Sequence, residues 1–242
     1  MAGGVRRGTA SAVVLFACAI TVGLVLQLCS AAAETVEVAP GVKVTKRTFQ
    51  APFNEQPFFG FAEKSASLRE ADEAFVSSVV KASGSRKNAF DETTSRAWRA
   101  IAAGNIPEAA KRFNQAFLLA PEQSEVFHGF AIVVAARFDD AAFSEELFQI
   151  ARNQPAPLNT VNADYGRFLL MVKRPRDAQP VLEQAVKDVP AFGDAWSNLA
   201  IARVHNGDHV AACTAAAEAA KLSNPANVTD DLAWVRREAR CS

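Results

Sequence analysis

A chain of 242 residues, half of them in the hydrophobic class and 21% charged, can form one core-bearing domain plus an arm and is too apolar to be disordered. Lysine and arginine number 26, as do aspartate and glutamate, a balance that argues against a nucleic-acid or anionic-membrane binder. The two signs alternate along the predicted helices, the pattern of a solvated surface.

Arg6 and Arg7 open the chain ahead of an uncharged run from Ala10 to Leu28, which ends in Cys29-Ser30-Ala31-Ala32-Ala33 before Glu34. A basic start, an apolar stretch and an Ala-x-Ala site predict a secretory signal over 1–33, cut after Ala33. The alternative is an uncleaved anchor over 10–28, close to the shortest membrane span. Lipidation at Cys18 or Cys29 fits less well, because mostly apolar residues follow the first and Leu28 precedes the second. The expected location is the periplasm or envelope, with membrane contact only through this segment.

An irregular arm is expected over 34–65. Val36 and Val38 stand before Pro40-Gly41, and Val42 and Val44 after it, as in a short hairpin or an extended strand pair. Phe49, Phe53, Phe58, Phe59 and Phe61 follow, too much apolar area to face water. They predict either an arm closing the core of the entry helices or a hydrophobic docking strip. A capping region over 66–90 carries Leu68, Ala71, Phe75 and Val79 on one helical stripe, ending near Gly84. A further helix is expected from Ser85 or Arg86 to Ala103, with Ala89, Phe90, Thr93, Ala97 and Ile101 on its inner face.

From 91 to 225 the sequence repeats. Ala109, Phe143, Ala178 and Ala212 stand 34, 35 and 34 apart, and Phe113, Leu147, Leu182 and Ala216 keep the same step. Ala116, Ile150, Ala185 and Ala219 do likewise, and Pro121, Pro155, Pro190 and Pro225 close the units. A period near 34 with small or apolar residues in phase marks stacked helical pairs. No pair buries its apolar side alone, so neighbours share one core.

These series resemble the tetratricopeptide repeat (TPR) family. Trp196, Leu199, Ala200, Gly207, Ala212, Ala216 and Ala219 fall on its signature phases, as do Tyr165, Gly166, Leu169, Ala178, Leu182, Ala185 and Pro190. Arg96 and Phe143 depart from the pattern, standing where a leucine and a small residue are expected. The resemblance implies an all-α solenoid of about four helix-turn-helix units with helical caps and an irregular arm. It also implies a concave groove lined by the first helix of each unit, with Trp98, His128, Ile132, Arg167, Met171, Asn198, Ile201 and His205 as candidate contacts. The basic positions by which some members clamp a terminal carboxylate are not basic here, so an extended or helical peptide held by apolar pockets is the expected ligand.

No catalytic residues, cofactor or metal are expected. His205 and His209 straddle the turn Asn206-Gly207-Asp208, whereas a metal pair needs one face. Asp139-Asp140 and Asp230-Asp231 sit where helices are predicted to begin and read as caps. No phosphate loop or nucleophile elbow appears. A capping helix is expected within 226–242, starting at Thr229 with Leu232, Val235 and Ala239 inward. Cys213 and Cys241 are the cysteines left after export, and a cap packed on the last repeat would let them bridge.

The expected function is a non-catalytic adaptor or assembly factor in a bacterial envelope, with an unknown protein or peptide partner. The alternative is a small-ligand or enzyme-accessory protein whose groove is roofed by the phenylalanine arm.

Overall fold

The computed structural model describes Met1 and residues 34–222 and 225–241; the segment read as signal or anchor lies outside them. Strands β1 (Thr35–Ala39) and β2 (Val42–Thr45) form an antiparallel hairpin that pairs Val36 with Val44. Gly41 (φ 74°) sits in its turn, where a left-handed backbone favours glycine. The rest of the described chain is mainly helical.

Helix α1 (Ala66–Ser83) starts where the Ser65 side chain accepts the Leu68 N–H and stops at left-handed Gly84. Its inner stripe differs from the expected one. Leu68 is 41% exposed and Ala71 faces out, while Val76, Val79 and Val80 pack on the core. One face thus carries Val76 with Val79 and Val80 a turn further on, and the helix buries no residue fully.

Four antiparallel pairs follow: α2 (Arg86–Ala102) with α3 (Ile106–Leu119), and α4 (Ser124–Arg137) with α5 (Ala141–Asn153). Next come α6 (Val161–Met171) with α7 (Pro175–Asp188), and α8 (Gly193–His205) with α9 (His209–Ala220). The periodic residues are the core: Ala109, Phe143, Ala178 and Ala212 are fully buried, as are Phe113, Leu147 and Leu182. Alanines on each second helix let it approach the first. Arg96 faces solvent and its neighbour Ala97 takes the inner position, so α2 packs through Phe90, Thr93 and Ala97.

The turns inside the pairs also repeat. Gly104, Asp139, Lys173 and Gly207, 35, 34 and 34 apart, are all left-handed, at φ 70°, 53°, 60° and 83°. In three turns the next residue caps the following helix: Asn105, Asp140 and Asp208 accept the N–H of Glu108, Phe143 and Ala211. The third turn has Arg174 there, with no side-chain cap; it binds Glu145 and Asp177 instead. A left-handed lysine costs roughly 1–2 kcal/mol that glycine avoids, partly offset by glycine's looser unfolded chain. Lys173→Gly is therefore expected to stabilise the fold by about 0.5–1 kcal/mol in a denaturant titration.

Helix α10 (Ala226–Ala239) covers α8 and α9. It begins at Ala226 with Pro225 as its N-cap, so Thr229 lies within the first turn rather than capping it. Asp230 and Asp231 likewise sit inside the helix, which begins at Ala226, three residues before Thr229. Cys213 on α9 and Cys241 beyond α10 are joined by a disulfide that closes a 28-residue separation. Among the described residues no helix is long and apolar enough to cross a membrane.

The arm lies on the second-helix side of the array. The Thr45 N–H donates to Glu146 on α5, and Phe49 stacks on Phe138 at 4.0 Å and leans on Phe143 at 6.3 Å. A phenylalanine at the alanine phase is accommodated because Phe49 of the arm covers it. Two short 3-10 turns (Phe53–Glu55 and Pro57–Phe61) carry Phe58 between Phe117, Phe127 and Phe130. Glu55 is paired with Arg137 and Lys111, and those cations hold its carboxyl below the usual range.

Candidate functional site

The opposite side, built from the first helices, is open. Side chains roughly one repeat apart meet across those helices, as Trp98 and Glu125, His128 and Asp164, and Arg167 and Asn198 do. The eight residues expected to line it fall into three groups.

Trp98, on α2, donates its indole N–H to Glu125 of α4 at 2.6 Å, and Thr94, Ser95 and Arg99 complete an open groove of about 580 Å³. His128 is fully buried, against Trp98 at 4.9 Å and Phe148 at 5.9 Å, with Nε2 bonded to Asp164 of α6 at 2.9 Å. It joins the second and third units and is not exposed for a ligand, since α4 is packed on most sides. Ile132 is half-buried against the core.

The other five converge between α6, α8 and α10. Arg167 donates to Asn198 and to Asp231, each at 3.1 Å. Met171, 64% exposed, stands with Leu170, Ile201, His205 and Trp234 around a groove of about 360 Å³. His205 lies 5.4 Å from the Trp234 ring, while His209 begins the next helix, so the two histidines point from different helices. Asn198 and Ile201 are 7% and 8% exposed and offer only their edges.

Asp194, Asp231 and Trp234 belong to this face and were not among the expected contacts. The signal for two of them was present: Asp231 and Trp234 follow Asn198 and Ile201 by 33 residues, so α10 continues the first-helix phase. Burial raises the Asp194 carboxyl pKa; the Asn227 side chain, which hydrogen-bonds it, opposes the shift and the nearby Asp164 carboxylate adds to it. A carboxyl raised in the fold favours folding at low pH, and that contribution is lost as pH rises through its folded pKa. Asp194→Asn is therefore expected to stabilise the protein at neutral pH, with the gain disappearing below the normal carboxylate range in melts run across pH.

The arm does not roof this face. It is pinned to α3 and α5 on the far side, so a pocket enclosed between arm and groove does not form.

Stacked antiparallel pairs with a shared interior and an open first-helix face define a helical-repeat scaffold. Residues 172–227 match the tetratricopeptide repeat family model, and the array is a TPR-type solenoid. No curated protein matches the chain by sequence. Among solved structures it is similar to PilF of Pseudomonas aeruginosa (TM-score 0.56, 20% identity, 64% of this chain and 71% of that one). It is also similar to PilW, described as a widely conserved type IV pilus biogenesis factor (TM-score 0.51, 17% identity, 73% and 87%). A chain of the Cut9–Hcn1 hetero-tetramer gives a TM-score of 0.53 at 15% identity, covering 70% of this chain and 34% of that one. At these identities the likeness is one of fold.

Proposed function

We propose that the protein is a non-catalytic adaptor or assembly factor of a bacterial envelope that holds a segment of another protein along its first-helix face. The observation that carries this is the groove between α6, α8 and α10, where Met171 is 64% exposed beside Leu170, Ile201 and Trp234. A large apolar side chain kept at the surface of an open groove, with hydrogen-bonding groups beside it, suits a peptide better than solvent. Envelope placement is supported by the Arg6-Arg7, apolar run and Ala31-Ala32-Ala33 pattern and by the Cys213–Cys241 bond, which persists in oxidising compartments. The fold shared with PilF and PilW is consistent with assembly work of that kind.

Site-specific photocrosslinking in the exporting cell tests the proposal. A crosslinker at Met171 should capture a discrete protein adduct that one at Val210, 82% exposed on α9, does not. Equal capture at both positions, or at neither, would overturn it.

A further inference from the structure

Helix α10 is a wall between two grooves. Asp231 and Trp234 line the one that holds Met171, while Arg236, Ala239 and Arg240 line a second, open groove of about 690 Å³ between α9 and α10. The Cys213–Cys241 bond lies in the second, with both cysteines half-buried. It ties down a helix that has little else to hold it. Val228, Leu232 and Val235 are buried, and Trp234 and Ala239 are partly covered. Asp231 accepts from Arg167 at 3.1 Å, and the Asn227 side chain bonds Asp194. An isolated helix of 14 residues is marginal in water, so these few contacts must offset the ordering of the whole segment.

The bond tips that balance. A bridge across a 28-residue separation disfavours the opened segment by roughly a few hundredfold through chain entropy. On this basis, and resting on the interaction reading above, we propose that the Cys213–Cys241 bond is a redox gate on the Met171 groove. Oxidised, it keeps Asp231 and Trp234 in place as the groove's third wall. Reduced, it lets α10 detach, and the groove loses that wall.

The reductant is a dithiol small enough to enter the open groove. Arg236, Arg240 and His209 line it, and no carboxylate does among the described residues, so an attacking thiolate meets positive charge. The thiolate attacks one sulfur of the bond to give a mixed disulfide, and the second thiol of the reductant then displaces the protein. Two electrons and two protons end on Cys213 and Cys241, and the reductant closes to its own disulfide.

Hydrogen exchange on the full chain, oxidised and after dithiothreitol without denaturant, tests the gate. Reduction should speed exchange in α10 about a hundredfold while α2 to α7 keep their protection, and reoxidation should restore it. A bond that resists dithiothreitol in the folded chain, an α10 that stays protected, or protection lost throughout α2 to α7 would each overturn it. In the exporting cell, the adduct captured by a crosslinker at Met171 should fall about tenfold in the Cys213→Ser, Cys241→Ser double variant at equal protein abundance. An undiminished adduct from the variant would overturn the gate and leave the interaction reading standing. No adduct from either protein would overturn both.

Discussion

Asn114→Ala is expected to free the arm and to cost about 3 kcal/mol while leaving the repeats folded. Asn114 is fully buried on α3, and all of its amide faces the arm. Its oxygen accepts the Phe59 N–H at 3.0 Å, and its nitrogen donates to the carbonyls of Asn54 and Gln56 at 3.0 and 2.7 Å. Alanine strands three backbone groups in a place water does not reach, and each such group costs roughly 1–3 kcal/mol. The Pro57–Phe61 turn has little in reserve against that loss. Phe58, Phe59 and Phe61 are left-handed at φ 54°, 56° and 57°, and such residues cost roughly 1–2 kcal/mol apiece. Burial of Phe58 and Phe59 and the Asn114 bonds together hold that turn in place. Hydrogen exchange should show residues 34–62 losing protection in the variant while α4 to α9 keep theirs. Asn114→Asp should act like alanine, because it retains an acceptor for Phe59 but turns oxygen toward two carbonyls. A protected arm in either variant would sink the argument.

The contrast between arm and repeats shows what the residues announce. The repeats were legible because close packing of stacked pairs demands the same size of side chain every 34 residues, and the inner positions Ala109, Ala178, Ala212, Phe113, Leu147 and Leu182 are all fully buried as that periodicity requires. The arm was legible only as apolar mass. Nothing in the run of phenylalanines says that three of them take a glycine-like backbone, because that geometry is held by distant partners: the pocket that buries Phe58 and Phe59, and an asparagine 55 residues from Phe59. Its placement on the second helices rather than over the groove follows from the same distant bonds, which no local pattern carries.

The candidate face was read by phase, and phase gives the side of a helix without the depth of a side chain. Arg167, Met171 and His205 do stand at the groove between α6, α8 and α10. His128 holds the right phase but lies on α4, the most enclosed of the first helices, and so became a tie to Asp164. Helix α10 was expected as a cap but not as a continuation of the first-helix face, because Asp230-Asp231 looks like a helix start, whereas the helix had already begun after Pro225.

Gly129→Ala is expected to be about as damaging as loss of Asn114, through overpacking. Gly129 lies on α4 where it crosses α3, and a Cβ added there would fall 2.2 Å from two ring carbons of Phe113 and 2.5 Å from a third. Those atoms cannot swing aside. The Phe113 ring is fully buried, with Trp98 edge-on at 5.2 Å and Phe130 at 6.1 Å. One methyl group must therefore push α4 away from α3 or force Phe113 off its rotamer, which costs roughly 1–3 kcal/mol or somewhat more in a tight core. Alanine's better helix propensity returns at most about 1 kcal/mol, so packing decides the sign. A partner substitution separates this from a generic defect in α4. Phe113→Leu alone opens a cavity and should cost about 1–2 kcal/mol. In the double variant the added methyl enters that space, so the combined loss should be at least about 1 kcal/mol smaller than the two single losses added together. Chemical denaturation of the four proteins measures the difference; strict additivity would mean that Gly129 is required for some reason other than the Phe113 ring.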